Sequence, residues 1–197
     1  MNIAHIEKQS FIYGPGCRYV IWTQGCSIRC EGCWNNEMWS FESNIILSIL
    51  QIFEEINAEK EFIEGVTILG GEPLDQYTET LKLLKLCKNV KLTTMLFTGY
   101  EIHEINNKNM SEILDYCDIL ITGRYNLAKR TINHQWIGST NQEIHFLTEN
   151  YKNYEVKNAN YVEINIEENG RMTALGFPEI NKFLYSDNVY FRKSDCF

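Results

Sequence analysis

The chain has 197 residues, 44% of them apolar and 22% charged, the balance of one soluble globular domain with at most a modest appendage. Its net charge is −8 and its basic residues are scattered, which argues against a nucleic-acid footprint of clustered Lys and Arg. No apolar run reaches the roughly 18 residues of a membrane span; the longest, Ile45 to Phe53, is interrupted by Ser48 and Gln51. Glu7, Lys8 and Gln9 stand too early for a secretory signal, so a cytoplasmic protein with no membrane partner is expected.

In chain order, Tyr19 to Thr23 is a short β-forming run ending at Gly25 and reads as a buried strand. Ile45, Ile49, Ile52, Phe53 and Ile56 recur at helical spacing, with Glu54, Glu55 and Glu59 on the other side. Val66 to Leu69 is a second strand, and a helix starting near Asp75 carries Leu81, Leu84 and Cys87. A strand over Leu92 to Thr98, a helix over Ile102 to Tyr116 and a strand over Asp118 to Thr122 continue the alternation. After Gly123 the pattern changes: a loop at Gly138 to Gln142, a short strand at Glu143 to Thr148, and a polar connector from Lys152 to Asn160. Tyr161 to Ile166 and Arg171 to Leu175 flank Glu168-Asn169-Gly170 and read as a β-hairpin.

Strand–helix repeats with apolar strands imply an α/β fold whose parallel strands are joined by right-handed crossovers. Four to five units are too few for an eight-fold barrel, so a partial barrel or strongly curved sheet is expected, with chemistry at the carboxyl ends of the strands. The expected division is a core over 1–150 and an extension over 151–197 packed on it.

Seven cysteines is an odd number, and three of them, Cys26, Cys30 and Cys33, fall within eight residues directly after the first strand. In a reducing compartment such a trio reads as metal ligands rather than as a disulfide framework. Three thiolates can hold three corners of an iron–sulfur cube and leave the fourth iron open. The other reading is a structural zinc site closed by Cys17 or His5, although zinc sites usually pair two C-x2-C knuckles and no second pair is present. Cys87 and Cys117 end amphipathic stretches and suit the core, while Cys17 and Cys196 have no assigned place. His5, His103, His134 and His145 lack metal-like spacing. Gly70-Gly71-Glu72-Pro73 ends the second strand, where glycines let backbone groups approach a ligand closely.

The C-x3-C-x2-C loop followed by Gly-Gly-Glu-Pro resembles the radical S-adenosylmethionine (SAM) superfamily. Cys-Glu-Gly-Cys-Trp-Asn, Leu96 to Glu101, Asp118 to Arg124 and Gly138 to His145, in this order, narrow the resemblance to the family that activates anaerobic ribonucleoside-triphosphate reductase. It covers roughly residues 5 to 150. The resemblance implies a 4Fe-4S cluster held by Cys26, Cys30 and Cys33, with SAM on the free iron. Gly70, Gly71 and Glu72 would line SAM, Glu72 fixing the turn, and Asn36, Thr98, Gly99, Ser139 and Asn141 are further candidate contacts. It implies as well a 5′-deoxyadenosyl radical that takes a hydrogen atom from a glycine of an anaerobic reductase-like partner, and a flavodoxin or ferredoxin as electron donor. Radical modification of a peptide, nucleotide or other small molecule is the alternative. Two features depart from the family: Ile137 stands where it usually has arginine, and the chain continues beyond the matched region.

Overall fold

A computed structural model describes residues 1–166 and 172–176. Seven strands form one sheet: β1 (Asn2–Ser10), β2 (Arg18–Thr23), β3 (Ile45–Ile46), β4 (Gly65–Gly70), β5 (Thr93–Phe97), β6 (Ile119–Thr122) and β7 (Glu143–Phe146), in the order β3-β1-β2-β4-β5-β6-β7. β2, β4, β5 and β6 are mutually parallel, so their carboxyl ends lie together at one edge. β1, β3 and β7 add antiparallel margins. The fold is mixed α/β with a parallel centre. Helices α1 (Ile49–Ala58), α2 (Tyr77–Asn89) and α3 (Ile102–Asn107) connect the strands. A separate antiparallel pair, β8 (Val162–Ile166) and β9 (Met172–Gly176), follows, and the turn expected at Glu168 to Gly170 lies outside the described residues, as does Cys196.

Alternation along the parallel strands sends Tyr19, Ile21, Val66, Ile68, Leu96 and Leu120 to the helical face. There they meet Ile52 and Ile56 of α1, Leu81, Leu84 and Cys87 of α2, Ile105 of α3, and Cys117, so both core cysteines lie where the sequence suggests. Each fully buried aliphatic side chain in this layer contributes about 1.5–3 kcal/mol. Val20, Trp22, Leu69, Met95, Ile119 and Ile121 point the other way, into two smaller clusters. Arg18, wholly buried on this second face, fills its amino-terminal end: its guanidinium donates to Thr67 Oγ1, Thr93 Oγ1 and the carbonyls of Pro15, Val66 and Thr93. No helix among the described residues is long and apolar enough to cross a membrane.

Two expectations need correction, and one strand goes unannounced in the sequence. β1 is a strand that its polar residues His5, Glu7, Lys8 and Gln9 conceal. Ile45 and Ile46 do not begin α1; they pair with Ile3 and Asn2, and the helix starts after a capping box in which Ser48 and Gln51 bond each other reciprocally. The helix expected over Ile102 to Tyr116 stops at Asn107, where Asn106 and Asn107 are poor helix formers and Asn109 takes φ 57°, and resumes as a 3-10 turn over Ser111–Tyr116.

Asp118, fully buried at the amino end of β6, joins the elements around it. It accepts from Lys88 of α2, from the N–H and hydroxyl of Thr94, and from Thr148 and Asn150 beyond β7. Burial alone would raise its carboxyl, but the bonds from Lys88, Thr148 and Thr94 outweigh that and hold it below its ordinary value of 3.8. A depressed folded value means that this stabilisation is complete above the unfolded value and is lost as pH falls through the folded one. Asp118→Asn should therefore cost about 2 kcal/mol or more at neutral pH. In thermal melts against pH, the gap between wild type and variant should close as pH drops below 3.8.

Candidate active site

The loops that follow β2, β4, β5 and β6 enclose one cavity of about 270 Å³ on the sheet face opposite the helices. That is near the lower end of small-molecule clefts, roughly 300–1,000 Å³. Cys26, Cys30 and Cys33 line it after β2, Gly70, Gly71 and Glu72 after β4, and Thr98 and Gly99 after β5. Trp22, Leu69, Phe97 and Ile121 form its apolar floor.

Two loop backbones cross at the centre of the site. Gly71 N donates to Thr23 O and Glu72 N to Gly25 O, both at 2.8 Å. A β-carbon on Gly71 would strike the Gly25 carbonyl, and Gly70 holds φ 110° against the Trp22–Thr23 backbone, so both positions require glycine. Glu72 then turns back into the protein. Its Oε1 accepts from Leu74 N at 2.9 Å and Thr98 Oγ1 at 2.8 Å, and its Oε2 from Gly99 N at 2.8 Å. Burial pushes this carboxyl up to about 7, against the pull of the three donors. Both oxygens are engaged in holding the ends of β4 and β5 together.

The cysteine loop is anchored by Asp75, which accepts from Ser27 N at 2.6 Å and Ser27 Oγ at 2.8 Å. Its far end folds into a 3-10 turn over Asn36–Trp39, whose carbonyls at Met38 and Trp39 accept from Gly25 N and Cys26 N. All three cysteines are free of disulfides. Burial pushes their thiols up, opposed by the influence of nearby backbone N–H groups: Arg29 and Ile28 at Cys26, Tyr125 at Cys30, Asn35 at Cys33. The Trp39 indole N–H, buried without a hydrogen-bond partner, lies near enough to Cys33 to favour its thiolate.

Among the described residues, no three His, Cys, Asp or Glu side chains form a group that could hold a metal ion. A cube presents separate irons to separate thiolates, so it needs three cysteines facing one space rather than converging on one point. Three free thiols facing one cavity, with backbone N–H groups nearby that favour the thiolate form, fit that group.

Other expected residues lie elsewhere. Asn36, Ser139 and Asn141 are not among the lining residues. Ser139 is buried and accepts from Asn126 N, and Asn141 donates to Arg124 O, so both brace the loop after β6. Asn36 begins the 3-10 turn behind the cysteines. Cys17 lies away from the cavity, its carbonyl accepting from Glu64 N. Arg124 is engaged by Glu104 at 2.6 and 2.8 Å, and Tyr100 is buried with its ring facing Lys108 and Arg124. Ile137 belongs to the apolar cluster of Met95, Ile119 and Tyr151. Missed as site residues by sequence reasoning were His5, Tyr13, Arg130 and Gln135, together with Ala159 to Tyr161 and Ala174 to Gly176, all on the cavity wall. Only His5 had a usable signal, its place in a short alternation of apolar and polar residues at the start of β1.

The family described as a 4Fe-4S single cluster domain matches residues 12–145. The anaerobic ribonucleoside-triphosphate reductase-activating protein of Enterobacteria phage T4 is 32% identical over 151 residues, covering 73% of this chain and 93% of its own. That of Haemophilus influenzae is 29% identical, covering 74% and 97%. The pyruvate formate-lyase-activating enzyme of Listeria monocytogenes is 34% identical over 99 residues, which is 48% of this chain and 40% of that one. The chain belongs to the 4Fe-4S single cluster domain family and, within it, to the radical SAM enzymes of the glycyl-radical-activating kind, whose cofactors are an iron–sulfur cluster and SAM.

Proposed function

We propose that this chain generates a glycyl radical on an anaerobic ribonucleotide reductase-like protein, with Cys26, Cys30 and Cys33 as the cluster ligands. The observation that carries the reading is that these cysteines and the Gly70-Gly71-Glu72 loop face one cavity at the carboxyl ends of four parallel strands. Cys26, Cys30 and Cys33 would hold the cluster, which with SAM bound would supply the one electron that converts SAM to methionine and a 5′-deoxyadenosyl radical able to take a hydrogen atom from a glycine Cα.

The chain's own residues orient and exclude. Gly70 and Gly71 would let the backbone of this turn approach SAM closely, and Glu72 fixes the turn, both its oxygens accepting hydrogen bonds. Thr98 and Gly99 border the same space, whereas Asn36, Ser139 and Asn141 act through the loops they brace. Trp22, Leu69, Phe97 and Ile121 keep water from the reacting atoms. Helices on one sheet face and the cavity on the other support reading the sheet as a partial barrel, with 1–150 as the core and the segment beyond packed on it. A flavodoxin or ferredoxin is the proposed donor and the cytoplasm the proposed compartment. The net charge of −8 favours a protein partner over nucleic acid or a membrane surface.

The test is anaerobic turnover of the reconstituted, reduced protein with SAM and the reductase-like partner. A glycyl doublet in electron paramagnetic resonance, absent with Cys30→Ala, is the expected result. Deoxyadenosine without a doublet would instead favour a peptide, nucleotide or other small-molecule substrate. Glu72→Gln should place an amide N–H against a donor, cost about 1–3 kcal/mol of stability and lower SAM cleavage. Equal cleavage by variant and wild type would remove Glu72 from the site.

A further inference from the structure

Part of the cavity wall is built by residues beyond 145, where the family match ends. Ala159 and Tyr161 leading into β8, and Ala174, Leu175 and Gly176 of β9, line the same space as the three cysteines. The hairpin is docked rather than merely adjacent. Glu163 accepts from Ser10 Oγ at 2.8 Å and Phe11 N at 2.9 Å, and Gly176 N donates to the Tyr13 hydroxyl at 3.0 Å. Tyr13 in turn meets Trp22 edge-on at 5.0 Å, and Leu175 is buried with Ala4, Val20, Trp22, Met38 and Leu69. Where it faces the cavity this wall includes small residues, Ala159, Ala174 and Gly176, so its surface there is shallow.

We propose that this hairpin is the substrate-side wall, positioning an extended, glycine-bearing stretch of a partner's backbone against the radical. The proposal rests on the glycyl-radical reading above and adds to it the element that aims the hydrogen transfer. A peptide backbone without a side chain at the reacting residue is thin enough to lie along Ala174 and Gly176. Larger groups on that wall would displace it, and a misplacement of about 1 Å can cost on the order of a hundredfold in rate. Ala174 and Tyr161 are thus positioning residues, and Glu163 sets where the wall stands.

The test compares wild type, Ala174→Phe and Glu163→Ala, each reconstituted with cluster, for deoxyadenosine formed per glycyl radical on the reductase-like partner. Both variants are expected to keep wild-type iron and sulfide content and to raise that ratio about tenfold or more. Hydrogen exchange at 159–166 is expected to slow when the partner is added to wild type. An unchanged ratio, or unchanged exchange, would overturn the proposal. Loss of iron in both variants would also overturn it, making the hairpin a support of the cluster. Absence of a doublet from wild type itself would be a failure of the parent reading, with which the wall assignment falls.

Discussion

The carboxylate of Glu72 is the constraint on which the site depends. It is buried, carries no cationic partner among its hydrogen bonds, and spends both oxygens on Leu74 N, Thr98 Oγ1 and Gly99 N. These donors belong to the loops after two neighbouring parallel strands, which Glu72 holds together beyond the end of the ladder between β4 and β5, with a longer bond from the Tyr100 hydroxyl to Asp75 beside it. A backbone N–H needs an acceptor when it is taken out of water, and one carboxylate satisfies three donors where an amide could satisfy fewer. The elevated proton affinity that burial gives Glu72 is the cost of this arrangement, and the crossing of Gly71 against the Gly25 carbonyl extends the same brace to the cysteine loop.

The second sheet face is divided between a polar cluster at one end and the cavity at the other. Arg18 closes the amino-terminal end, its guanidinium satisfied by hydroxyls and carbonyls, with Tyr151 bonding Glu64 and Thr93 beside it. The carboxyl-terminal end is left to the cavity. Small apolar side chains could fill the first end, but a charged group with five donors ties β2, β4 and β5 together at one point and fixes their relative height. The strand ends that carry the cysteines and glycines therefore start from a common level.

Much of this was legible in the sequence because the signals were local. The cysteine spacing, the Gly-Gly-Glu turn and the apolar runs of β2, β4, β5 and β6 each lie within ten residues and need no distant partner to be read. What was hidden depended on pairing across the chain. β1 and β3 are strands because Asn2 and Ile3 meet Ile46 and Ile45, and nothing in either stretch favours a strand strongly by itself. The break in the helix after Asn107 rests on single asparagines, which periodicity overlooks. Arg130, His134 and Gln135 reach the cavity on a loop with no regular spacing at all.

The hairpin completes the argument about division of labour. The family match ends at residue 145, and within it the cavity is faced by the ends of the parallel strands and by the irregular loop from Arg130 to Trp136. The wall residues Ala159 to Tyr161 and Ala174 to Gly176 have a different origin in the chain, and their strand pair is attached by Glu163, Tyr13 and Leu175 to β1, the loop after it and the apolar cluster around Trp22. Those anchors do not touch the Glu72 brace. A change at the anchors would move the wall while leaving the two crossing loops in place, because the loops are held by their own backbone bonds. Formation of the radical and its aim are thereby carried by separate contacts, so one core can keep its chemistry while the wall adapts to a different partner backbone.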